Sequence, residues 1–252
     1  MPAMAWRSLR LFCRRAIDRN VDLLVEGLEH VPSEGPVVVA ARHFHHLYDG
    51  CAIGLTVPRH VHVLVAMDWL TRPVGRALMA RACHSARFPV VLRPAAATYQ
   101  SELRDDPVRR TDYAEATSRQ LRRAVRESVE LLRDGHVLLV FPEGYPNVDP
   151  GFTPKPDDDA FLPFEPGFVR LVAMAQQDGR TRVPIVPVGL VYTRGVRWSL
   201  TLRFDPPRWL EAGTDRDLFL AEVEARVRAL SNVPAGDPRD ADPLTTQSNG
   251  VA

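Results

Sequence analysis

A cluster of histidines with a nearby aspartate is the most chemically suggestive feature of the sequence. His43, His45 and His46 fall within four residues, and Asp49 follows. A carboxylate that accepts a hydrogen bond from one ring nitrogen fixes the histidine tautomer, while the other nitrogen takes a proton. His45 and His46 precede Asp49 by four and three positions, so either pair can meet on a helical turn. The cluster therefore predicts a general base.

Two other interpretations of the same cluster stay open. The histidines can belong to a solvated loop, or they can join Asp49 in a zinc site, because imidazole and carboxylate are both zinc ligands. Ligands this crowded in sequence seldom converge on one ion, so catalysis is the favoured interpretation.

Two further features lie at the ends of predicted strands. In the segment Phe141–Gly144, Pro142 stops the strand, Glu143 is presented at the rim of the sheet, and Gly144 lets the backbone approach a ligand closely. Arg93 ends another strand, where a guanidinium can fork onto a phosphate. A plain turn and a surface arginine are the simpler explanations for each feature taken alone.

The elements around these residues predict an α/β fold. Apolar runs bounded by turn residues predict strands at Val37–Ala41, Val61–Ala66, Phe88–Leu92, Val137–Phe141, Val183–Tyr192 and Trp198–Phe204. Helical periodicity predicts helices from about Asp112 to Asp134, from Pro166-Gly167 to about Gln177, and over Asp215–Leu230, with Gly135 as a left-handed cap. This alternation implies a single domain with a mostly parallel central sheet flanked by helices.

Three segments depart from the regular pattern. Pro184 and Pro187, taken alone, argue that their strand lies at an edge or is irregular. Residues Pro94–Thr111 are polar and lack a period, which is typical of a loop or insertion. Residues 232–252 predict a disordered tail. The predicted domain covers 21–231.

Residues 1–20 predict an amphipathic helix, centred on Met4–Arg19. An apolar stripe runs along one side at helical spacing and an arginine-rich side lies elsewhere; the stripe comprises Trp6, Leu9, Phe12, Cys13, Ala16 and Ile17, and the arginines are Arg7, Arg10 and Arg14. Such a helix can lie in a membrane interface. It can equally pack on the domain as a terminal helix, and the sequence does not separate the two.

Composition narrows the classes of partner and compartment. A net charge of +1, from 32 basic and 31 acidic residues, gives no global field for nucleic acid. The three cysteines fit neither a disulfide framework nor a zinc ribbon, which indicates a reducing compartment. No apolar run approaches the roughly 20 residues that span a bilayer, and arginines interrupt any signal-like core. We expect a cytoplasmic protein that is peripheral on the cytoplasmic face of a membrane.

Four segments, in this order, resemble the lysophosphatidic acid (1-acylglycerol-3-phosphate) acyltransferases, a family of glycerolipid acyltransferases. The likeness runs from about Gly35 to Pro207. The family has an apolar strand followed by Asn-His-x-x-x-x-Asp, a strand ending in Arg, a Phe-Pro-Glu-Gly segment and a Val-Pro-Ile-x-Pro-Val strand. The last three blocks match Phe88–Arg93, Phe141–Gly144 and Val183–Val188, which accounts for the unusual prolines.

The first block departs from the family in its spacing. The family's histidine position is Phe44 here, so that His43 lies one residue too far from Asp49 and His45 one too near. If His46 caps the following helix and Asp49 lies in its first turn, the extra residue falls in the loop and His43 reaches Asp49. His43 is therefore favoured as the base, with His45 as the alternative.

Two other departures concern the acceptor. The family's Asn before the histidine is Arg42 here. The family usually has Thr-Arg-Ser after Phe-Pro-Glu-Gly, whereas this chain has Tyr145, Pro146 and Asn147. The arginine that would contact the acceptor phosphate in this segment is therefore missing.

The resemblance implies an O-acyltransferase that moves a fatty acyl group from acyl-CoA or acyl-carrier protein to a hydroxyl of a lysophospholipid at the membrane surface. His43 would deprotonate the hydroxyl, Asp49 would orient His43, and Arg93, Glu143 and Gly144 would hold the head group. No Gly-x-Ser-x-Gly segment suggests an acyl-enzyme, and nothing requires a metal or another cofactor. The alternatives are an acyl-thioester hydrolase and a non-catalytic lipid-binding protein of the membrane surface.

Overall fold

The computed structural model describes residues 2–70, 73–93 and 106–232. Its helices are α1 (Pro2–Asn20), α2 (Tyr48–Thr56), α3 (Pro73–Ala86), α4 (Pro107–Arg133), α5 (Gly167–Ala175) and α6 (Arg216–Leu230). Its strands are β1 (Val21–Glu26), β2 (Val37–Ala41), β3 (Val61–Val63), β4 (Val65–Ala66), β5 (Val90–Val91), β6 (Val137–Val140), β7 (Pro184–Thr193), β8 (Trp198–Phe204) and β9 (Arg208–Trp209).

The strands form a mostly parallel central sheet. Along the sheet the order is β1-β8-β7-β2-β6-β3, with β9 pairing onto β7. The contacts of β7 with β8 and β9 are antiparallel, and the other pairs are parallel. Strands β2 and β6 are buried along their whole length, as expected for apolar runs covered on both faces. The predicted α/β class with a mostly parallel sheet is confirmed.

Alternate side chains of the central strands enter two separate cores. Val37 and Val39 of β2 face a core that includes residues of α1 and α2, whereas Val38 and Ala40 face a core with residues of α4, α5 and α6. Helices therefore cover both faces of the sheet, and the turns at the carboxyl ends of β2 and β6 lie next to each other.

The strand with two prolines is an interior strand, which corrects the interpretation based on those prolines alone. Strand β7 pairs with β2 on one side and with β8 on the other. Pro184 is its first residue, where a missing N–H is tolerated, and Pro187 lies opposite Ala40. The carbonyl of Pro187 still accepts from the N–H of Asp205, so the strand keeps this hydrogen bond.

Several element boundaries differ from the sequence predictions. The run Val61–Ala66 divides into β3 and β4, and β4 pairs with β5 in a second, two-stranded sheet. Helix α4 begins at Pro107 rather than near Asp112, because Asp106 caps it by accepting from two backbone N–H groups. The end of the predicted 94–111 loop is therefore helical, while residues 94–105 lie outside the described residues.

Other predictions stand as made or lie beyond the described chain. Gly135 follows α4 with a φ of 79°, as a left-handed cap requires. Strand β1 and helix α3 were not predicted. Of the predicted tail, residues 233–252 lie outside the described part of the chain.

Helix α1 packs on the domain through most of its apolar stripe. Cys13 and Ile17 are buried, and Trp6 stacks on His60 with ring centroids 4.3 Å apart. Phe12 belongs to the predicted stripe but is half exposed, as is Leu11. Within residues 2–70, 73–93 and 106–232, no helix is both long and apolar enough to span a membrane.

Candidate active site

The ring of His43 is held by Asp49 in the turn between β2 and α2. Nδ1 of His43 lies 3.0 Å from Oδ2 of Asp49. The ring stacks on Phe141, with centroids 4.3 Å apart and planes inclined by 18°. The Asp49 side chain is fully buried, whereas that of His43 is 15% exposed. No described residue hydrogen-bonds to Nε2 of His43, so this nitrogen is available to a ligand.

Four donors compensate the burial of the Asp49 carboxylate. Besides His43 Nδ1, its Oδ2 accepts from the backbone N–H groups of Phe44 at 2.6 Å and His45 at 2.9 Å. Its Oδ1 accepts from the hydroxyl of Tyr192, 2.7 Å away. Burial and the neighbouring carboxylate raise the pKa of Tyr192 well above its usual value, so that its hydroxyl remains a donor. This network fixes the carboxylate and, through it, the imidazole of His43.

His45 lies in the same turn, but its ring has different hydrogen-bond partners. Its Nδ1 accepts from the N–H groups of Leu47 and Tyr48, at 3.2 and 3.3 Å, and thereby caps α2. The prediction that His46 caps this helix is wrong. Asp49 does lie in the first turn of α2, as expected. Burial lowers the pKa of His45 to about 4, despite the opposing effect of Asp49. A neutral ring whose Nδ1 is already engaged is a poor base.

Glu143 faces inward from the Phe141–Gly144 turn. Its Oε1 accepts from the backbone N–H of His43 at 2.8 Å, and its Oε2 accepts from Leu162 at 3.0 Å. The ammonium of Lys155 pairs with Oε2 at 2.6 Å. Glu143 is almost fully buried. The structure therefore connects Glu143 to the backbone of His43, whereas its predicted contact with an acceptor remains a prediction.

Arg93 and Gly144 meet on the other side of the same turn. The guanidinium of Arg93 forms a forked ion pair with Asp68, the shortest contact being 2.7 Å, and donates to the carbonyl of Gly144 at 2.6 Å. It also lies 3.9 Å from the ring centroid of Tyr145. Gly144 has a φ of 74°, and a Cβ at this position would meet no atom within 4 Å, so its backbone borders open space.

Residues 145–160, which we call the strap, pack against the turn that carries His43. Val148 donates to the carbonyl of Phe44 and accepts from the N–H of His46, which forms a bridge between the two segments. The side-chain amide of Asn147 donates to three strap carbonyls, those of Asp157, Asp158 and Ala160. Arg42 donates to the carbonyl of Asp158. Two departures from the family pattern, Arg42 and Asn147, therefore hold the strap.

Sequence reasoning found most of these residues but missed three. Tyr192, Asp68 and Lys155 contact Asp49, Arg93 and Glu143, respectively. Asp68 had a usable signal, because it follows β4 as Arg93 follows β5, and parallel strands end at one edge. Tyr192 ends a strand beside β2, which is a weaker signal. Lys155 lies in an irregular segment, where no pattern indicates its partners.

A metal centre receives no geometric support from the part of the chain that the structure describes. No group of three or more His, Cys, Asp or Glu side chains is arranged there to hold an ion. The rings of His43 and His45 instead use Nδ1 for Asp49 and for the end of α2.

Comparisons with known proteins agree with the fold and with the motifs. The sequence model of the Acyltransferase family matches residues 22–191, more than half of the chain. The structure is similar to the 1-acyl-sn-glycerophosphate (LPA) acyltransferase PlsC from Thermotoga maritima. The TM-score is 0.57 at 19% identity, over 92% of this chain and 80% of that one. A search of curated proteins found no match.

The family match confirms the prediction of an acyltransferase, and the structural similarity confirms the predicted fold. The family match includes the turn that carries His43 and Asp49, both strands whose ends bear Arg93 and Glu143, and nearly all of β7. The chain belongs to the Acyltransferase family.

Proposed function

We propose that the protein transfers a fatty acyl group from a thioester, acyl-CoA or acyl-carrier protein, to a hydroxyl of a lysophospholipid such as 1-acylglycerol-3-phosphate. The observation that carries this proposal is the 3.0 Å contact between Nδ1 of His43 and the buried carboxylate of Asp49. This contact keeps the ring proton on Nδ1, so that the lone pair of Nε2 faces the acceptor.

In the proposed reaction, Nε2 of His43 removes the proton of the acceptor hydroxyl as its oxygen attacks the thioester carbonyl. The tetrahedral intermediate then collapses to an ester, and the C–S bond breaks. The leaving thiolate takes the proton from the His43 imidazolium. Asp49 stabilises the imidazolium during the interval and does not itself change protonation state.

The head group of the acceptor is assigned to the neighbourhood of Arg93 and Gly144. Arg93 already forms an ion pair with Asp68, so a phosphate would be a second anionic partner of its guanidinium. The backbone at Gly144 borders open space. A planar guanidinium matches the geometry of phosphate as it does that of carboxylate.

The test measures release of free thiol from a long-chain acyl-CoA, and separately from an acylated carrier protein, with and without lysophosphatidic acid. We compare the wild type with His43→Ala, His45→Ala and the matched control His46→Ala, whose side chain lies in the same turn but is exposed. We expect acceptor-dependent release that falls at least about 1,000-fold in His43→Ala, because a general base and its oriented partner act together. His46→Ala should stay within about threefold of the wild type.

The other outcomes separate the alternatives. If His45→Ala alone abolishes release, the base is His45 and the proposed geometry is wrong. Release that does not need an acceptor indicates a thioester hydrolase. Lipid binding without turnover in any of these assays indicates a non-catalytic lipid-binding protein.

We also propose a membrane-surface location on the cytoplasmic face, through α1 and α3. In sequence, residues 2–17 and 69–93 contain arginines and no acidic residue. Apolar side chains in these two segments are exposed: Phe12 is 52% exposed, Trp69 51%, Val74 73% and Leu78 64%. The two helices are neighbours. Arginines attract anionic lipid, and exposed apolar side chains between them can enter the interface.

Vesicle flotation tests this surface. Removing residues 1–20 would also remove Cys13 and Ile17 from the core, so a surface variant, Phe12→Glu/Leu78→Glu, is the better choice. The matched control is Leu218→Glu on α6, whose side chain is 71% exposed. We expect the double variant to lose at least about tenfold in binding to phosphatidylcholine vesicles that contain phosphatidylglycerol, and the control to bind normally. Unchanged flotation of the double variant would show that this surface is not the contact.

A further inference from the structure

Lys155 is the only lysine among the 32 basic residues of the chain, all the others being arginines. It lies in the strap, and its side chain is completely buried. A buried cation costs free energy unless it is paired and fully hydrogen-bonded. The contacts of Lys155 must therefore offset the free-energy cost of burying its charge.

The ammonium of Lys155 has three partners, one for each of its protons. It lies 2.6 Å from Oε2 of Glu143, 3.0 Å from Oδ1 of Asn147 and 2.7 Å from the backbone carbonyl of His43. Burial lowers the pKa of Lys155, and Glu143 opposes this effect. An ammonium presents three donors around one small centre, whereas a planar guanidinium spreads five donors over a larger fork. The site therefore fits lysine and not arginine.

The backbone N–H and the backbone carbonyl of His43 both hydrogen-bond to this ion pair. Its N–H donates to Glu143, and its carbonyl accepts from Lys155. Asp49 holds the ring of the same residue. Because His43 follows the end of β2 and precedes α2, no strand or helix fixes its backbone, and the ion pair supplies this restraint.

We propose that Lys155, together with Glu143, is a positioning residue for the acyl transfer, which holds the His43 backbone so that Nε2 meets the acceptor hydroxyl. This proposal rests on the role of His43 proposed above. Lys155 touches no reacting atom. Its effect passes through the backbone of His43, and a displacement of about 1 Å at a reacting group can cost on the order of 100-fold in rate.

The main comparison is between Lys155→Met and Arg226→Met. Arg226 lies on α6 and pairs with the buried carboxylate of Asp205 at 2.6 Å. Replacing Arg226 therefore also removes a cation from an ion pair, but outside the proposed site. We expect Lys155→Met to lower kcat by about 10- to 100-fold, with the KM values for donor and acceptor within about twofold of the wild type. Arg226→Met should lose thermal stability and keep its kcat.

A second variant separates positioning from simple charge compensation. Lys155→Met leaves Glu143 buried and unpaired, which destabilises the fold. In Glu143→Gln/Lys155→Met the unpaired charge is gone, while the carbonyl of His43 still lacks its donor. We expect the double variant to regain much of the lost Tm and to keep the low kcat. Recovery of kcat in parallel with Tm would overturn the proposal, because Lys155 would then only neutralise Glu143.

Amide hydrogen exchange gives a readout that does not depend on turnover. We expect faster exchange of the segment 42–46 in Lys155→Met than in the wild type or Arg226→Met, because the carbonyl of His43 loses its donor and the segment opens more often. Unchanged exchange there would overturn the proposal even if activity falls. If the wild type shows no acyl transfer at all, the proposed reaction fails, whereas the exchange result still decides whether Lys155 holds His43.

Discussion

Histidine rings stack on other rings in two regions of the molecule, the candidate site and a second group outside it. His43 stacks on Phe141 in the candidate site. His60 stacks on Trp6 and on His62, with centroids 4.3 and 4.2 Å apart, and His62 meets His136 at 4.9 Å. We call this second group, His60, His62 and His136, the distal cluster. Stacking on aromatic rings is therefore common to both groups.

The groups differ in their carboxylate. Asp49 accepts a hydrogen bond from the Nδ1–H of His43 and carries a negative charge. In the distal cluster, the Nδ1–H of His62 instead donates to the carbonyls of Ala86 and Arg87, which accept the hydrogen bond but carry no net charge. The nearby carboxylate of Asp134 pairs with Arg87 at 3.2 Å, and Arg87 also contacts His136. The carbonyls favour the charged form of His62, and Asp134 favours that of His136, but burial outweighs both effects.

The pKa shifts follow from this difference. Burial lowers the pKa of His60 and His136, and it lowers that of His62 to about 4. Neighbouring histidines further lower the pKa of His60 and His62, and Arg87 further lowers that of His60 and His136. The distal cluster is thus a set of rings whose environment disfavours the charged form, with His62 buried and His60 and His136 partly exposed, whereas His43 has the partner that a base requires.

The largest expected effect comes from removing the feature that distinguishes the two groups. Asp49→Asn keeps the shape of the side chain but removes its charge, and it directs an amide N–H₂ at donors such as Phe44 N–H or Tyr192. We expect kcat to fall by roughly 10³- to 10⁴-fold, because the imidazolium is no longer stabilised and the tautomer is no longer fixed. Thiol release measures the rate, and circular dichroism checks the fold. A loss below about tenfold would mean that Asp49 does not distinguish His43 from the distal rings.

How much of this contrast the sequence predicts depends on the distance between partners. Strands β2 and β6 were predicted because their buried, wholly apolar runs are bounded by turns. Strand β1 was missed because it continues directly from α1 and because Leu24, an apolar residue on its exposed side, hides the alternation of the sequence. Helix α3 was missed because most of its side chains are exposed, so no apolar stripe marks it.

The site divides in the same way. His43 and Asp49 are six residues apart, and the resemblance to a known family indicated both. The contacts of Lys155 with His43 and of Tyr192 with Asp49 join residues 112 and 143 positions apart. Such contacts depend on how the strap folds back and on which strands are neighbours, neither of which local periodicity encodes. The interior position of β7 likewise depends on its pairing with β2 and β8, which prolines alone cannot indicate.

An intermediate effect is expected from acid on the distal cluster. The pKa of His62 is about 4 in the folded protein and near 6.5 in the unfolded chain. Between these values only the unfolded state takes up the proton, so stability is full above pH 6.5, decreases as pH falls, and levels off below about pH 4. His62 alone accounts for about 3 kcal/mol over this window. Urea unfolding at pH 7, 6 and 5 measures the slope.

His62→Phe sharpens this test, because it keeps an aromatic ring and removes the titrating group. We expect it to be less stable than the wild type at pH 7, since two carbonyls lose their donor, but to lose less stability between pH 7 and pH 5. The control is Cys83→Ala at the end of α3. Burial raises the pKa of the Cys83 thiol, so the thiol stays neutral between pH 7 and pH 5. The variant should therefore keep the wild-type dependence of stability on pH. An unchanged slope in His62→Phe would remove His62 from the acid response.

The smallest expected effect concerns one donor of the Asp49 network. Tyr192→Phe removes the hydroxyl that lies 2.7 Å from Oδ1 of Asp49 and keeps the ring stacked on Phe44, 4.4 Å away. The carboxylate then loses one of four donors but keeps the three on Oδ2, including His43. A hydrogen bond to a charged group contributes about 1.5–3 kcal/mol, and we expect a stability loss in this range with a fall in kcat of about tenfold.

The control for Tyr192→Phe is Tyr48→Phe. Tyr48 stacks on His45 with centroids 3.9 Å apart, and its hydroxyl makes no hydrogen bond to any residue that the structure describes. We expect this variant to keep the wild-type kcat. If Tyr192→Phe also keeps it, the donors on Oδ2 are sufficient to hold the carboxylate toward His43. His43 would then differ from the distal cluster through the charge of Asp49 alone, and the hydrogen bond by which Tyr192 orients that carboxylate would not contribute.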